Sequence, residues 1–253
     1  DFGPITVIED GRTLLLDFGF NGWGLKFPAN HDNRINQLLA ERGLYKSSTA
    51  IMPLVLEGGS IESDGAGTLL VTAACLLSPN RNPHLSREQI ETLLQEQLGV
   101  ERFLWLHRGW LAGDDTDSHI DTLARLCPDD TILYTACDDP ADEHFEELAA
   151  MKRELEAFRS RENRPYRLIP LPFPAAKKGL ADERIPATYA NFLIINGAVL
   201  MPTYEDRHDA AALAAVGLAF PGREIIGINC SSIILQHGSL HCLTMQLPKG
   251  VLA

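Results

Sequence analysis

Four carboxylates and one imidazole fall within Asp114-Asp115-Thr116-Asp117-Ser118-His119-Ile120-Asp121, the densest polar stretch of the chain. A histidine beside a carboxylate suits proton transfer, because imidazole titrates near neutrality and the acid stabilises imidazolium. If Ser118–Thr122 is extended, side chains repeat every two residues, and His119 and Asp121 share a face. An acidic loop with a helix cap, or a divalent-ion site, accounts for the same residues. Glu57-Gly58-Gly59-Ser60 follows the apolar Ile51–Leu56. That order puts a carboxylate at a strand end beside glycines that let a ligand or backbone approach closely. An exposed acid in a turn is the plain alternative. The third candidate is His241-Cys242, within Gln236-His237-Gly238-Ser239-Leu240-His241-Cys242-Leu243-Thr244. A cysteine is nucleophilic as its thiolate, which requires nearby positive charge or hydrogen-bond donors. The two histidines could supply these, although on a strand His241 would project opposite to Cys242. A small buried hydrophobe is the alternative for Cys242, and it is the reading adopted for Cys75, Cys127, Cys137 and Cys230.

Other motifs carry less. Asn21-Gly22-Trp23-Gly24 and Arg81-Asn82-Pro83 read by themselves as turns. Ser118 and Ser239 lack the G-x-S-x-G setting of a serine hydrolase. Gly58, Gly59, Gly65 and Gly67 are not followed by the G-K-[ST] of a phosphate-binding loop. Asp206 and Asp209 are explained by a helix N-terminus.

The elements that must position these groups alternate between strand and helix. Ile5–Ile8 and Thr13–Phe18 flank Glu9-Asp10-Gly11 as a hairpin. A helix is expected over Asp32–Arg42, with strands at Val55–Leu56 and Thr68–Thr72. Ser86, with Gln89 three residues on, forms a capping-box pattern for a helix ending at Gly99. Strands follow at Arg102–Leu106 and Thr131–Ala136. Pro140–Glu162 has helical periodicity, its charges a solvated face. Tyr166–Leu171 returns to strand before the irregular Pro170–Pro174. Asn196-Gly197 turns a second hairpin between Asn191–Ile195 and Ala198–Met201. An alanine-rich helix runs from Asp206 or His208 to Phe220, where Pro221-Gly222 stops it. Glu224–Ile228, Ile233–Leu235 and Leu240–Gln246 are the last expected strands. The reading is one α/β domain, residues 1–253, built from repeated structural units without sequence-level repeats. Periodicity does not distinguish a ring of units from an open sheet.

A chain of 253 residues buries a sizeable core, and 45% apolar with 22% charged residues is ordinary for a globular protein. A formal charge of −12 offers no basic stripe for a phosphate backbone, so no nucleic-acid partner is expected. No apolar run reaches the ~18 residues of a membrane span. Five cysteines form no C-x-x-C pair and no zinc spacing, which points to free thiols in a reducing cytoplasm.

Taken in order, Asp1-x-Gly3-Pro4, Asn21-Gly22-Trp23-Gly24, Glu57-Gly58-Gly59-Ser60, Arg81-Asn82-Pro83, Asp114–Asp121 and His241-Cys242-x-Thr244-x-Gln246-x-Pro248 resemble the agmatine deiminases, which are grouped with the bacterial-type peptidylarginine deiminases. The resemblance runs nearly end to end. It implies a pentein fold, a pseudo-fivefold α/β-propeller ring of ββαβ units with the active site along its axis. Family members carry a segment upstream of the Asp-x-Gly-Pro motif, so part of the N-terminal unit is expected to be missing here. The resemblance further implies Cys242 as nucleophile, His119 as general acid and base, and Glu57 as the group orienting His119. Asp1 and Asp121 would accept hydrogen bonds from a guanidinium, with Gly58 and Trp23 also in the substrate-binding set. The implied partner is a small cationic guanidine substrate, and a homo-oligomer is allowed. No metal or organic cofactor is called for. The implied reaction converts agmatine to N-carbamoylputrescine and ammonia through an S-alkylthiouronium, a step towards putrescine. Peptidyl-arginine or another guanidine is the alternative substrate, and a non-catalytic binding module the alternative of another class. Gln236-His237-Gly238 departs from the glycine triplet that many members carry before the cysteine.

Overall fold

The strands gather into small sheets, and no sheet exceeds three strands in the computed structural model, which describes residues 1–253. Four of the five sheets share one plan: an antiparallel hairpin, a helical crossover, and a third strand parallel to the second. The first unit joins β1 (Ile5–Glu9), β2 (Arg12–Gly19) and β3 (Ser48–Val55), with the helix Ile35–Glu41 between β2 and β3. The second joins β4 (Ile61–Ser63), β5 (Thr68–Thr72) and β6 (Arg102–Leu106) around the helix Arg87–Leu98. The third uses β7 (Ala124–Cys127), β8 (Thr131–Thr135), the helix Phe145–Ala157 and β9 (Arg167–Leu171). A two-stranded hairpin, β10 (Lys177–Lys178) and β11 (Arg184–Ile185), precedes the fourth. That last unit joins β12 (Leu193–Ile195), β13 (Ala198–Thr203), the helix Asp209–Ala219 and β14 (Glu224–Asn229). The fold is mixed α/β.

Local chemistry explains the elements that were expected. Asp10 and Gly11 both take positive φ, 48° and 74°, as a two-residue hairpin turn requires. Ser86 Oγ accepts from the Gln89 amide while Gln89 Oε1 accepts from the Ser86 amide, completing the capping box of the helix Arg87–Leu98. Gly99 closes that helix at φ 66°.

The units stack in series, and period-2 alternation does the stacking. In β5 every residue is buried: Leu69 and Val71 pack with Leu16, Phe18 and Leu54 of the first unit, whereas Leu70 packs with Leu126, Ile132 and Leu148 of the third. In β8, Ile132 and Tyr134 face the second unit and Leu133 the fourth, where Val199, Met201 and Val216 lie. These strands therefore read as continuous apolar runs, because both faces are covered. Each such leucine contributes roughly 1.5–3 kcal/mol by leaving water.

Three expectations fail. Ile233–Leu235 and Leu240–Gln246 are not strands: 3-10 turns occupy Ile233–Gln236 and His241–Leu243. Ser118–Thr122 is not extended, since Ile120–Thr122 forms another 3-10 turn after His119. Beyond these three, the strand expected at Val55–Leu56 runs over Ser48–Val55, and β4, in the glycine-rich segment after Glu57, β7, β10 and β11 lie where no strand is expected. The closing segment does tie back to the first unit, as Lys46 N donates to Val251 O at 2.7 Å.

Candidate active site

Glu57 leaves the end of β3 in extended conformation and is fully buried. A side chain holds that end together with β2: Asn82 Oδ1 accepts from Val55 N at 3.0 Å and Asn82 Nδ2 donates to Val55 O at 2.9 Å, while Leu56 N donates to Gly19 O at 3.1 Å. Glu57 Oε2 lies 3.2 Å from His119 Nε2. Both Glu57 oxygens also accept from Arg81 Nε, at 3.0 and 2.8 Å. The four carboxylates of the acidic stretch have separate tasks and do not converge on a divalent ion. Asp114 organises its own loop, accepting from Thr116 N and Ser118 N at 3.1 and 2.7 Å. Asp117 pairs with Arg81 and Lys26, at 2.6 Å each. Asp115 sits 3.3 Å from His237 at the rim. Asp121 alone turns inward.

Asp121 is fully buried. Its Oδ2 takes His241 Nδ1 at 2.7 Å and Asn191 Nδ2 at 3.1 Å. Asn191 links this carboxylate to the cysteine. Its Nδ2 is 3.2 Å from Cys242 Sγ, and its Oδ1 accepts from the amides of His241 and Cys242 at 2.9 and 3.2 Å. His241 therefore does not point away from Cys242, as strand geometry would have it. The 3-10 turn brings both to Asp121.

The opposite wall is Asp1. Its carboxylate accepts from Trp23 Nε1 at 2.8 Å and from Gly59 N at 2.9 Å, while Gly58 N donates to its backbone oxygen at 3.0 Å. Trp23 is itself wedged edge-on between Phe20 and Phe27, with ring centroids 5.1 and 5.6 Å away. Asp1, Trp23, Thr122 and Cys242 line one pocket of about 200 Å³, with Asp114, Asp115 and His237 also in its lining. A Cβ on Gly59 would sit 2.5 Å from His119 Nδ1, 3.0 Å from Asp1 Oδ1 and 3.1 Å from Asp121 Oδ2. The missing side chain thus leaves a space enclosed by an imidazole nitrogen and two carboxylates. His119 Nδ1 and Asp121 Oδ1 are buried with no hydrogen-bond partner. Buried polar atoms without partners are costly, and a ligand rich in N–H donors would satisfy the carboxylate.

Protonation follows from these neighbours. Burial opposes charge on His119, but its neighbours Cys75 and Glu57 raise its pKa to about 10. Burial also opposes ionisation of Glu57, yet the His119 hydrogen bond and the charges of His119 and Arg81 hold it below the usual carboxylate value. Asp121 is likewise lowered: burial opposes its charge, and the His241 hydrogen bond with the charges of His241, His119 and Arg125 overcomes it. Burial, then the Asp121 charge, pushes the Cys242 thiol up to about 12. At neutral pH the unliganded site holds imidazolium, thiol and carboxylates, a lining suited to a flat cation.

All seven residues singled out by the resemblance border this region, with different contacts. Gly58 holds the backbone of Asp1, and Gly59 is the glycine that faces the enclosed space. Asn191 and Arg81 were passed over. No local motif marks Asn191, and Arg81 lies in what reads as a turn. Glu57, Cys75 and His119 have ligand atoms close enough together to hold a metal ion, but both Glu57 oxygens are engaged by Arg81.

The sequence matches the Porphyromonas-type peptidyl-arginine deiminase family over residues 1–248. An agmatine deiminase from Pseudomonas fluorescens is 35% identical over 98% of this chain and 73% of its own length. A crystal structure from Porphyromonas gingivalis, provisionally named an arginine deiminase, is 53% identical with a TM-score of 0.96, covering 100% of this chain and 75% of that one. A cysteine-to-serine variant of C. jejuni agmatine deiminase with substrate bound is 41% identical with a TM-score of 0.89, over 96% of this chain and 70% of that one.

Proposed function

Because the chain belongs to the Porphyromonas-type peptidyl-arginine deiminase family, we propose that it is a cysteine-dependent iminohydrolase converting agmatine to N-carbamoylputrescine and ammonia. One observation carries this reading: His119 Nδ1, Asp1 Oδ1 and Asp121 Oδ2 enclose the space left by the absent Gly59 side chain, and the same Asp121 oxygen lies 3.9 Å from Cys242 Sγ. A guanidinium is planar and cationic and presents paired N–H donors, so two fixed carboxylates grip it and hold its carbon against the sulfur. Asn191 supports the thiolate as it forms, through its 3.2 Å contact with Sγ.

The chemistry divides into two halves around one imidazole. Arrival of the cation favours loss of the Cys242 proton to solvent, and the thiolate forms a C–S bond to the guanidinium carbon. His119, protonated, gives its Nδ1 proton to the departing nitrogen; the C–N bond breaks and ammonia leaves an S-alkylthiouronium. Glu57 at Nε2 keeps the ring aimed and its charge balanced. The neutral imidazole then takes a proton from water and the oxygen adds to the same carbon; the C–S bond breaks as the new hydroxyl proton passes to sulfur, which releases the ureido product and restores the thiol and the imidazolium.

Asp114 and Asp115 at the mouth favour a substrate whose tail is also cationic, as agmatine's is, over one ending in a carboxylate. Four serial ββαβ units support the finer architectural reading, a pentein ring to which this chain supplies four turns. Incubation with agmatine, arginine and an arginyl peptide, with measurement of ureido product, tests the function. Agmatine should turn over fastest, and Cys242→Ala should reduce product to background. Product from another guanidine but none from agmatine overturns the substrate assignment; unchanged turnover in Cys242→Ala overturns the nucleophile. Gly59→Ala, which fills the enclosed space, should lower kcat/KM on the order of 100-fold or more.

A further inference from the structure

Arg81 is 4% exposed and spans from the site to its surface loop. Its Nε donates to both Glu57 oxygens, while its terminal nitrogens reach Asp117 Oδ2 at 2.6 Å and Thr116 O at 2.8 Å. Asp117 also takes Lys26 at 2.6 Å. Charges therefore alternate along a row of His119, Glu57, Arg81, Asp117 and Lys26.

His119 faces mostly anions. Glu57 lies at Nε2, Asp1 Oδ1 is 3.7 Å from Nδ1, and Asp121 borders the same enclosed space, with His241 on its far side. Cys75, against Glu57 at 3.7 Å, is a buried thiol that burial keeps protonated. Arg81 is the cation that offsets these carboxylates from the Glu57 side. Resting on the reading of His119 as acid and base, we propose that Arg81 is a positioning residue that shares Glu57 with His119. By engaging both carboxylate oxygens it stops Glu57 from holding the imidazole proton too tightly, so that one ring can give a proton in the first half-reaction and accept one in the second.

The proposal fixes two opposite signs. Arg81→Met removes the cation beside Glu57 and should raise the His119 titration by about one pH unit or more. Asp117→Asn removes the anion that partly neutralises Arg81 and should lower it. Asp117 is partly exposed, so that variant keeps the test alive if Arg81→Met does not fold. Nitrogen-15 NMR of the His119 imidazole reads both shifts in the free protein, without catalysis. With agmatine, the alkaline limb of kcat should move the same way, and Arg81→Met should slow formation of the covalent thiouronium on Cys242, followed by mass spectrometry after rapid quench. No shift in either variant, or shifts of the same sign, overturns the inference. Shifts as stated in a protein that turns over no guanidine overturn the proposed function instead, and leave the Arg81 assignment standing.

Discussion

Cys242 is placed where its reactive form is least favoured. Burial and the charge of Asp121 raise the thiol to about 12, and Asn191 Nδ2 supplies a hydrogen bond that only partly compensates. The carboxylates that disfavour a thiolate are the ones a guanidinium would neutralise, so under the proposed function substrate binding itself activates the nucleophile. Two rates follow. Iodoacetamide, which is neutral, should alkylate Cys242 slowly at pH 7 and about tenfold faster for each pH unit towards 10, because thiolate rises in that proportion below the pKa. A haloacetamidine, whose cation meets Asp1 and Asp121, should react on the order of 100-fold faster at pH 7. Peptide mass spectrometry separates Cys242 from the other four cysteines. An iodoacetamide rate already level below pH 8 would show a thiolate preformed without substrate, contrary to this account.

At the level of elements, the site residues occupy corresponding places. Asp1 precedes β1, Glu57 precedes β4, His119 and Asp121 precede β7, and Asn191 precedes β12. Each unit thus contributes from its entry segment, and Cys242 follows the fourth unit in the same sense. The Glu57 segment is held by Asn82 on one side and by Gly19 of β2 on the other. Asn82→Ala strips both bonds from Val55 and should cost about 1–3 kcal/mol in urea unfolding, and also lower kcat because Glu57 loses its anchor. Ser86→Ala, a comparable loss at a helix end distant from the pocket, should cost about 1 kcal/mol with kcat unchanged. Equal effects on kcat would show that the Asn82 anchor has no special bearing on the site. The contrast also explains what was legible in the sequence. Caps and hairpin turns such as Ser86–Gln89, Asp10-Gly11 and Asn196-Gly197 are set by neighbours in the chain. The runs Ile233–Leu235 and Leu240–Gln246 look like strands because they are apolar. A strand also needs a partner edge, and that is decided elsewhere in the fold. Arg81–Glu57 and Asn191–Cys242 are 24 and 51 residues apart, so neither pairing has a local signature. Motif order brought Cys242, His119 and Glu57 into view; it included Arg81 without giving it a task, and it could not bring in an asparagine flanked by apolar residues.

Across the whole molecule, register between units depends on a second buried cation. Arg125 on β7 pairs with Glu62 on β4 at 3.0 Å, and its guanidinium lies 4.5 Å from the Phe192 ring centroid. It also donates to the backbone oxygens of Ala190 and Phe192, the residues on either side of Asn191. One side chain therefore joins the second, third and fourth units and fixes the backbone from which Asn191 reaches Cys242. Arg125→Met leaves Glu62 buried and unpaired, and should destabilise by about 3–5 kcal/mol. Adding Glu62→Leu removes the orphaned charge and should restore more than half of that loss, since a buried pair exchanged for apolar side chains is often close to neutral. Activity should not return with stability: the carbonyls of Ala190 and Phe192 remain without their donor, and Asn191 loses its fixed position. Denaturant midpoints and kcat, measured on the same two variants, separate these effects. A double variant recovering both would mean that packing alone aligns the units. Recovery of stability without kcat would mean that the contact joining the units also places the nucleophile's support.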